Sequence, residues 1–269
     1  MKIIKEVVPY NTVYLIPLGD IHLEDKYFTK KSEKKLKERI EWIRKRPNAR
    51  AFITGDVFNV ATRASKTSPF SINKKLLNDY DGDQMAYAVD LFSPIKEKII
   101  GAIDGNHEQR TIDFNNRSWI TEFCGELSTK EREIKYCDIS CLLFLKIGKS
   151  NKEGDKRSAQ TYSGYIHHTT GGGGTPGSKI NRVKKLEDIV VGCDFYIGAH
   201  NHMSGAINLS TFISNPNNCT VTQLNQVYVD AGGFLDYGGY VERYQLAPTT
   251  LGAPTIKFEA KNKNIEVVV

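Results

Sequence analysis

The sequence predicts an α/β fold, and three observations predict it. Short apolar runs alternate with amphipathic helical segments through the first hundred residues. The apolar runs end abruptly in a small polar cluster, usually opened by glycine. The second half is richer in strand-like runs and carries one further amphipathic helix. A β-α-β-α-β order gives parallel strand pairs joined by right-handed crossovers.

Each element has a local reason. "VYLIPL" (13–18) is an apolar run bounded by Gly19-Asp20 and reads as a buried strand. Residues 30–46 read as a helix, with Leu36, Ile40 and Ile43 at i, i+4, i+7 and charges elsewhere. Pro47-Asn48 ends it. "RAFITG" (50–55) is the second strand, and "KIIGAI" (98–103) the third. Between them, residues 83–98 read as a helix with Met85, Val89 and Phe92 inward and Pro94 as a breaking point. Further on, "CLLFLKI", "TYSGYIHH", "DFYIGAH", "QVYVDAG" and "TIKFEA" read as strands, and 178–190 as a helix with Ile180, Val183 and Leu186 inward. Polar stretches near 60–80 and 149–178 read as loop insertions in a single domain spanning 1–269.

Composition bounds the class. The chain has 269 residues, 40% apolar and 25% charged, ordinary for a soluble globular protein. No stretch reaches the roughly 18 apolar residues of a membrane-spanning helix, and "MKIIKEVVPYN" lacks the apolar core of an export signal. The expectation is a cytoplasmic protein with no membrane partner. Five cysteines with no CxxC pair argue against a disulfide framework or a zinc knuckle and for reduced, mostly buried thiols. The net charge is +6, yet residues 26–50 alone carry eleven Lys or Arg against three Glu. Such a segment attracts a polyanion, although a solvated helix face explains it equally simply.

The chemistry lies at the strand ends. "GDIH" (19–22), "GDVF" (55–58), "GNHE" (105–108), His167-His168 and "GAHNH" (198–202) hold all six histidines of the chain. Asp20 and His22 are two apart, as are His200 and His202. In extended backbone such pairs point to one side, so each can aim two donors at one point. In open α/β sheets, ligands gather outside the carboxyl ends of strands. The donors are carboxylate, imidazole and one amide, with no thiolate. That set suits Mn²⁺, Fe or Zn²⁺ and is too rich in nitrogen for a Ca²⁺ or Mg²⁺ cage. Asp20, His22, Asp56, Asn106, one of His167 and His168, His200 and His202 are too many for one ion. Two ions about 3.5–4 Å apart, sharing a carboxylate, accommodate them.

The ordered motifs D-x-H, GD, GNHE, H and GHxH resemble the calcineurin-like metallophosphoesterase superfamily across residues 19–202, and "VYVDAGGF" (227–234) resembles the segment that follows them. The resemblance implies a four-layer αββα sandwich with two central mixed sheets, and hydrolysis of phosphoesters at a dinuclear site. It implies that Asp20, His22, Asp56 and His202 hold one ion. Asp56, Asn106, His200 and a histidine from 167/168 hold the other, with Asp56 bridging. Of the two histidines, His168 fits the pattern better and His167 is the alternative. Mn²⁺ is the first choice of metal, with Fe, Zn²⁺, Ni²⁺ and Mg²⁺ as alternatives. His107 is implied as the acid that protonates the leaving oxygen, and Arg110 as a phosphate contact. Asn59, three residues past Asp56, stands where many members place a group that orients the histidine.

Other features carry less. "TTGGGGTPGSK" (169–179) has GxxxxG spacing but continues Ser178-Lys179, so it fails as a phosphate-binding P-loop. A loop beside the site, with a helix starting near Ser178, is the better reading. Tyr237, Tyr240, Arg243 and Tyr244 could stack on a base or pack at a sheet edge. "GDVF" looks more like the nuclease branch than the protein-phosphatase branch, and the short chain is similar to compact phage-encoded members. A nuclease or phosphodiesterase acting on DNA or RNA is thus the first reading. A phosphomonoesterase and a non-catalytic binding module are the alternatives.

Overall fold

Two six-stranded mixed sheets pack face to face, with helices on both outer faces, in a computed structural model that describes residues 1–60, 80–148, 159–171, 173–238, 242 and 247–269. Of the loop insertions expected near 60–80 and 149–178, residues 61–79, 149–158 and 172 lie outside the described residues, as do Tyr240, Arg243 and Tyr244.

In chain order the elements are β1 (Lys2–Val8), β2 (Thr12–Leu18), α1 (Lys30–Arg44), β3 (Ala49–Ile53), α2 (Tyr80–Phe92), β4 (Ile99–Ala102), α3 (Asn106–Asn115), α4 (Trp119–Leu127) and β5 (Lys135–Tyr136). The second half adds β6 (Ser140–Ile147), β7 (Gln160–His167), α5 (Pro176–Lys184), β8 (Phe195–Gly198), β9 (Ser204–Asn215), β10 (Thr220–Ala231), β11 (Thr255–Glu259) and β12 (Asn264–Val268). One sheet has the order β1-β6-β7-β8-β10-β9, and the other β12-β11-β2-β3-β4-β5. β2, β3 and β4 run parallel in one sheet, and β7, β8 and β10 run parallel in the other.

The period-2 alternation of the strands makes the layers. In β3, Ala49, Ala51 and Ile53 face the helices, while Phe52 joins the core between the sheets. Leu143, Leu145, Phe195, Ile197, Val227 and Val229 supply that inner core from the other sheet. Their neighbours Tyr165, Tyr196 and Tyr228 turn outward and pack under Val183 and Leu186, next to α5. Helices α1, α2 and α4 cover the opposite outer face.

Helix α1 obeys its sequence pattern: Leu36, Ile40 and Ile43 are buried. The Thr29 side chain accepts from the backbone of Lys31 and Ser32 at its start. At its end, Lys98 Nζ donates to the carbonyls of Ile43, Arg44 and Arg46. Such cations satisfy orphan carbonyls and suit the negative pole of the helix.

Two expectations need correction. The helix of 83–98 ends at Phe92 and continues as a 3₁₀ turn over Ser93–Lys98, because Pro94 cannot donate to the α-helical ladder. The helix of 178–190 starts earlier, capped by Thr175, and tightens to a 3₁₀ turn over Lys185–Asp188. The GNHE segment follows the end of β4 as expected but also begins a helix: Gly105 is the N-cap of α3, and Asn106 opens it. Among the described residues no helix is long and apolar enough to cross a membrane. All five cysteines are free, four of them buried.

Candidate metal centre

The carboxyl ends of parallel strands from both sheets meet at one place. There the backbone bends sharply. Asp20 (φ 49°), His22 (φ 49°), Asp56 (φ 50°), His200 (φ 78°) and His202 (φ 50°) all occupy the left-handed region. Non-glycine residues seldom do so, and such strain persists only where the surroundings over-determine it. The expected extended pairs Asp20/His22 and His200/His202 are therefore tight turns. Hydrogen bonds hold them: Asp20 N–H donates to Gly55 O (3.0 Å), His22 N–H to Asp56 O (3.0 Å), and His200 N–H to Asp20 Oδ2 (2.8 Å). Gly55 (φ +90°) and Gly105 are required by close approach, since a Cβ on either would collide with the other loop or the Asp56 carboxylate.

Asp56 is the hub. Its Oδ2 lies 3.4 Å from His168 Nε2, 3.7 Å from His22 Nε2 and 4.0 Å from His200 Nδ1. Its Oδ1 accepts the His107 backbone N–H at 2.8 Å. Nearby, His202 Nε2 is 3.7 Å from Asp20 Oδ1. Three overlapping groups could hold a metal ion: Asp20–His22–His202, Asp56–His168–His200 and His22–Asp56–His107.

The donors fit a cation. Asp20 Oδ1 and His22 Nε2 are buried and have no hydrogen-bond partner among the described residues, an arrangement that costs free energy unless something else satisfies them. The Asn106 amide points one polar atom at Asp56 Oδ2 (3.0 Å), His168 Nε2 (3.3 Å) and His200 Nδ1 (2.7 Å). A nitrogen there would donate to these atoms, with the amide oxygen accepting from Arg110 Nη2 at 3.0 Å. An oxygen there gathers Asn106, Asp56 Oδ2, His168 Nε2 and His200 Nδ1 around one point, a donor set that suits a cation.

The two adjacent histidines separate clearly. His168 is buried, its Nδ1 donates to the Thr54 carbonyl at 2.8 Å, and Nε2 is thereby aimed at Asp56. A second hydrogen bond of this kind fixes tautomer and ring direction in metal-binding histidines. His167 ends β7, lies beside Tyr165, and belongs to none of the three groups.

Burial dominates the electrostatics. It pushes the Asp20 carboxyl well above the usual range, with the Asp56 charge adding to the effect. At Asp56 burial acts in the same sense, but the His168 charge 3.4 Å away outweighs it and holds the carboxyl well below that range. His168 is the counterpart: burial opposes its charge, Asp56 overrides burial, and its pKa rises to about 10. Burial lowers His107 to about 4 and His202 to about 3, so both are neutral near pH 7. The metal-free centre thus holds one Asp56–His168 ion pair among neutral imidazoles.

His107 stands edge-on to His22, with ring centroids 4.4 Å apart, and its Nδ1 is buried without a partner among the described residues. Arg110, one turn further along α3, has a buried Nη1 likewise without a partner among the described residues. Asn59 is buried, and its Nδ2 donates to Asp25 Oδ2 at 3.1 Å, not to His107 Nδ1.

Two sets of residues escaped the sequence reading. Glu108 is fully buried and accepts three backbone N–H bonds, from Gly105 (2.9 Å), Asp56 (2.9 Å) and Phe58 (3.0 Å). It fastens the Asp56 loop to helix α3. Its position three residues after the Gly105 cap was the available signal. The second set is Lys179, Asn201 and Asp230. Lys179 Nζ donates to Asn201 O (2.9 Å), and Asn201 Nδ2 donates to Asp230 Oδ2 (2.8 Å); all three are buried. They clamp the residue between His200 and His202. Asp230, a lone charge in the apolar run "VYVDAG", was the visible hint.

No family model matches the chain. No curated protein matches it either. Among solved structures, a protein from Streptococcus pneumoniae described as a predicted phosphoesterase is similar at 11% identity, covering 95% of this chain and 87% of that one, with a TM-score of 0.35. At this level of likeness, function has to be argued from the site itself.

Proposed function

We propose that this protein is a metal-dependent phosphoesterase, and that its substrate is a phosphodiester of DNA or RNA. One observation carries the reading: Asp56 Oδ2 lies within 4.0 Å of His22, His168 and His200, beside a second group of Asp20, His22 and His202. Asp20, His22, Asp56 and His202 would hold one divalent ion; Asp56, Asn106, His168 and His200 would hold a second. Mixed imidazole and carboxylate donors favour Mn²⁺, with Fe, Zn²⁺, Ni²⁺ and Mg²⁺ as alternatives. Bound there, divalent cations supply Lewis acidity, which neutralises phosphoryl charge and makes water nucleophilic near neutral pH.

The chain's own groups do the rest. The unpartnered Nη1 of Arg110 offers a donor to a non-bridging phosphoryl oxygen. An Asn106 oxygen turned toward a cation leaves its Nδ2 facing Arg110 Nη2 at 3.0 Å, donor against donor. That geometry turns the guanidinium toward an anion. His107 is the acid for the leaving oxygen. Burial keeps it neutral in the empty centre, and the anionic phosphoryl group favours the protonated ring. General acid catalysis of this kind contributes roughly 10²–10⁴ in rate. The excess of basic residues in 26–50 supports a polyanionic substrate, although Glu33, Glu38 and Glu41 pair with part of that charge on α1.

The test is Mn²⁺-loaded protein offered bis(p-nitrophenyl) phosphate, p-nitrophenyl phosphate, and single- and double-stranded DNA and RNA, with and without EDTA. Diester and nucleic-acid cleavage abolished by EDTA is expected. Monoester turnover with intact nucleic acid would overturn the substrate. Failure to bind Mn²⁺, Zn²⁺ or Fe²⁺ would overturn the enzyme.

A further inference from the structure

We propose that the hairpin of β9 and β10 is a dimerisation arm, and that its partner is the same arm of a second copy of this chain. β10 pairs with β8 only over Val227–Asp230. From Thr220 to Gln226 it pairs with β9 alone, opposite Leu209–Asn215. Seven residues per strand at about 3.4 Å each project roughly 24 Å beyond the sheet. Every residue from Ser210 to Gln223 is exposed. β8 and β10 run parallel toward the metal centre, so the arm leaves from the opposite end of the sheet. Substrate contact does not explain it.

The arm lacks the devices that guard a free edge. β9 is the last strand of its sheet. Natural edges are blunted by charges, prolines or bulges. Here no charged residue occurs between His202 and Asp230, in a chain with 37 basic and 31 acidic residues. The register of β9 with β10 is unbroken over all twelve pairs. "LSTFIS" (209–214) combines β-branched and aromatic residues with no charge, Pro or Gly, the composition of a segment that seeks another strand. Phe212 is 72% exposed, Val221 65% and Ile213 46%. A two-stranded ribbon exposed on both faces is marginal by itself.

Self-pairing answers each feature. An edge strand pairs antiparallel with its own copy about a two-fold axis, the isologous arrangement of most dimers. Two chains of net charge +6 repel, and a charge-free arm is where that repulsion is weakest. With the axis at Phe212, that ring faces its symmetry mate, Thr211 faces Ile213, and Ser210 faces Ser214. Aromatic and β-branched cross-strand pairs of this kind stabilise sheets. Both metal centres remain open, at the far ends of the joined sheets.

Sedimentation velocity on the full chain tests the arm, independently of any hydrolysis. The wild type is expected at twice 30.3 kDa, and Phe212→Lys/Ile213→Lys at the single mass with an unchanged circular dichroism spectrum. A cross-link guards against misfolding of that variant: Phe212→Cys in a Cys219→Ser background should oxidise to a covalent dimer. A wild-type monomer overturns the proposal and leaves the arm to another partner. A dimer that survives the double lysine substitution, with no cross-link formed by the Phe212→Cys variant, overturns it in favour of a contact elsewhere.

Discussion

His168 Nε2 stands 3.4 Å from Asp56 Oδ2 while its Nδ1 donates to the Thr54 carbonyl at 2.8 Å. A backbone oxygen on β3's loop thus fixes which nitrogen of a histidine from the other sheet faces Asp56. His167 is in none of the three groups that could hold a metal ion. His168→Ala should weaken Mn²⁺ or Zn²⁺ binding by at least about 100-fold, whereas His167→Ala should stay within about two-fold, since loss of outer partners alone costs 10–100-fold. Isothermal titration of both variants decides it, and equal losses would reverse the assignment.

Asn201 is held between Lys179 and Asp230, and it separates His200 from His202. Asn201→Ala removes the amide's hydrogen bonds to Asp230 Oδ2 (2.8 Å) and to the Lys179 carbonyl (3.5 Å), at a cost of about 1–3 kcal/mol. Metal affinity should fall by about 10-fold, because the ligands lose their support. Thermal melts without metal and titrations with it measure the two effects separately. Unchanged affinity would mean that the clamp serves the fold alone.

Glu108 accepts three backbone N–H bonds with no solvent contact. Glu108→Gln keeps the shape but exchanges an acceptor oxygen for an NH₂ that faces a donor. A loss of about 1–3 kcal/mol is expected, read from urea denaturation, together with weaker metal binding through the displaced Asp56 loop. A variant as stable as wild type would show that the carboxylate is not the fastening group.

The buried neutral histidines set an acid limit on the metal-free protein. Burial lowers His107 from 6.5 to about 4 and His202 from 6.5 to about 3. Below pH 6.5 the unfolded chain binds protons at these positions that the native chain refuses. Stability from these two groups is therefore complete above pH 6.5 and declines as pH falls toward 4. Urea midpoints measured in EDTA should drop across this range, and less steeply in His107→Asn/His202→Asn. Identical slopes would place the acid sensitivity elsewhere.

The thiols give a check on the packing. Cys124, Cys137, Cys141 and Cys193 are buried, and Cys219 at the tip of the arm is exposed. Burial raises Cys124 to about 12, where little thiolate exists at neutral pH. Ellman's reagent should titrate one thiol in the native protein and five after denaturation. Reaction of a second thiol in the native protein would show that the core opens.

The sequence by itself determined the alternation of strands and helices, the inward face of α1, and the donor types at the strand ends. These are local properties. Period-2 and period-3.6 patterns, glycines before polar clusters, and the gathering of all six histidines are visible along the chain. Strand β1 escaped notice because it lies at a sheet edge, with Ile3 and Val7 exposed and charges between its apolar residues. The arm escaped because half of β9 and β10 buries nothing, so no hydrophobic pattern marks it. Only the tertiary structure placed His168, and not its sequence neighbour His167, beside Asp56. Only it showed Asn59 bound to Asp25, Glu108 spanning two loops, and Asp56 Oδ2 as the common point of three histidines. The physical reason is the same in each case. A hydrogen bond or a shared ligand position joins residues far apart in the chain, and no local periodicity encodes which partner lies across the sheet.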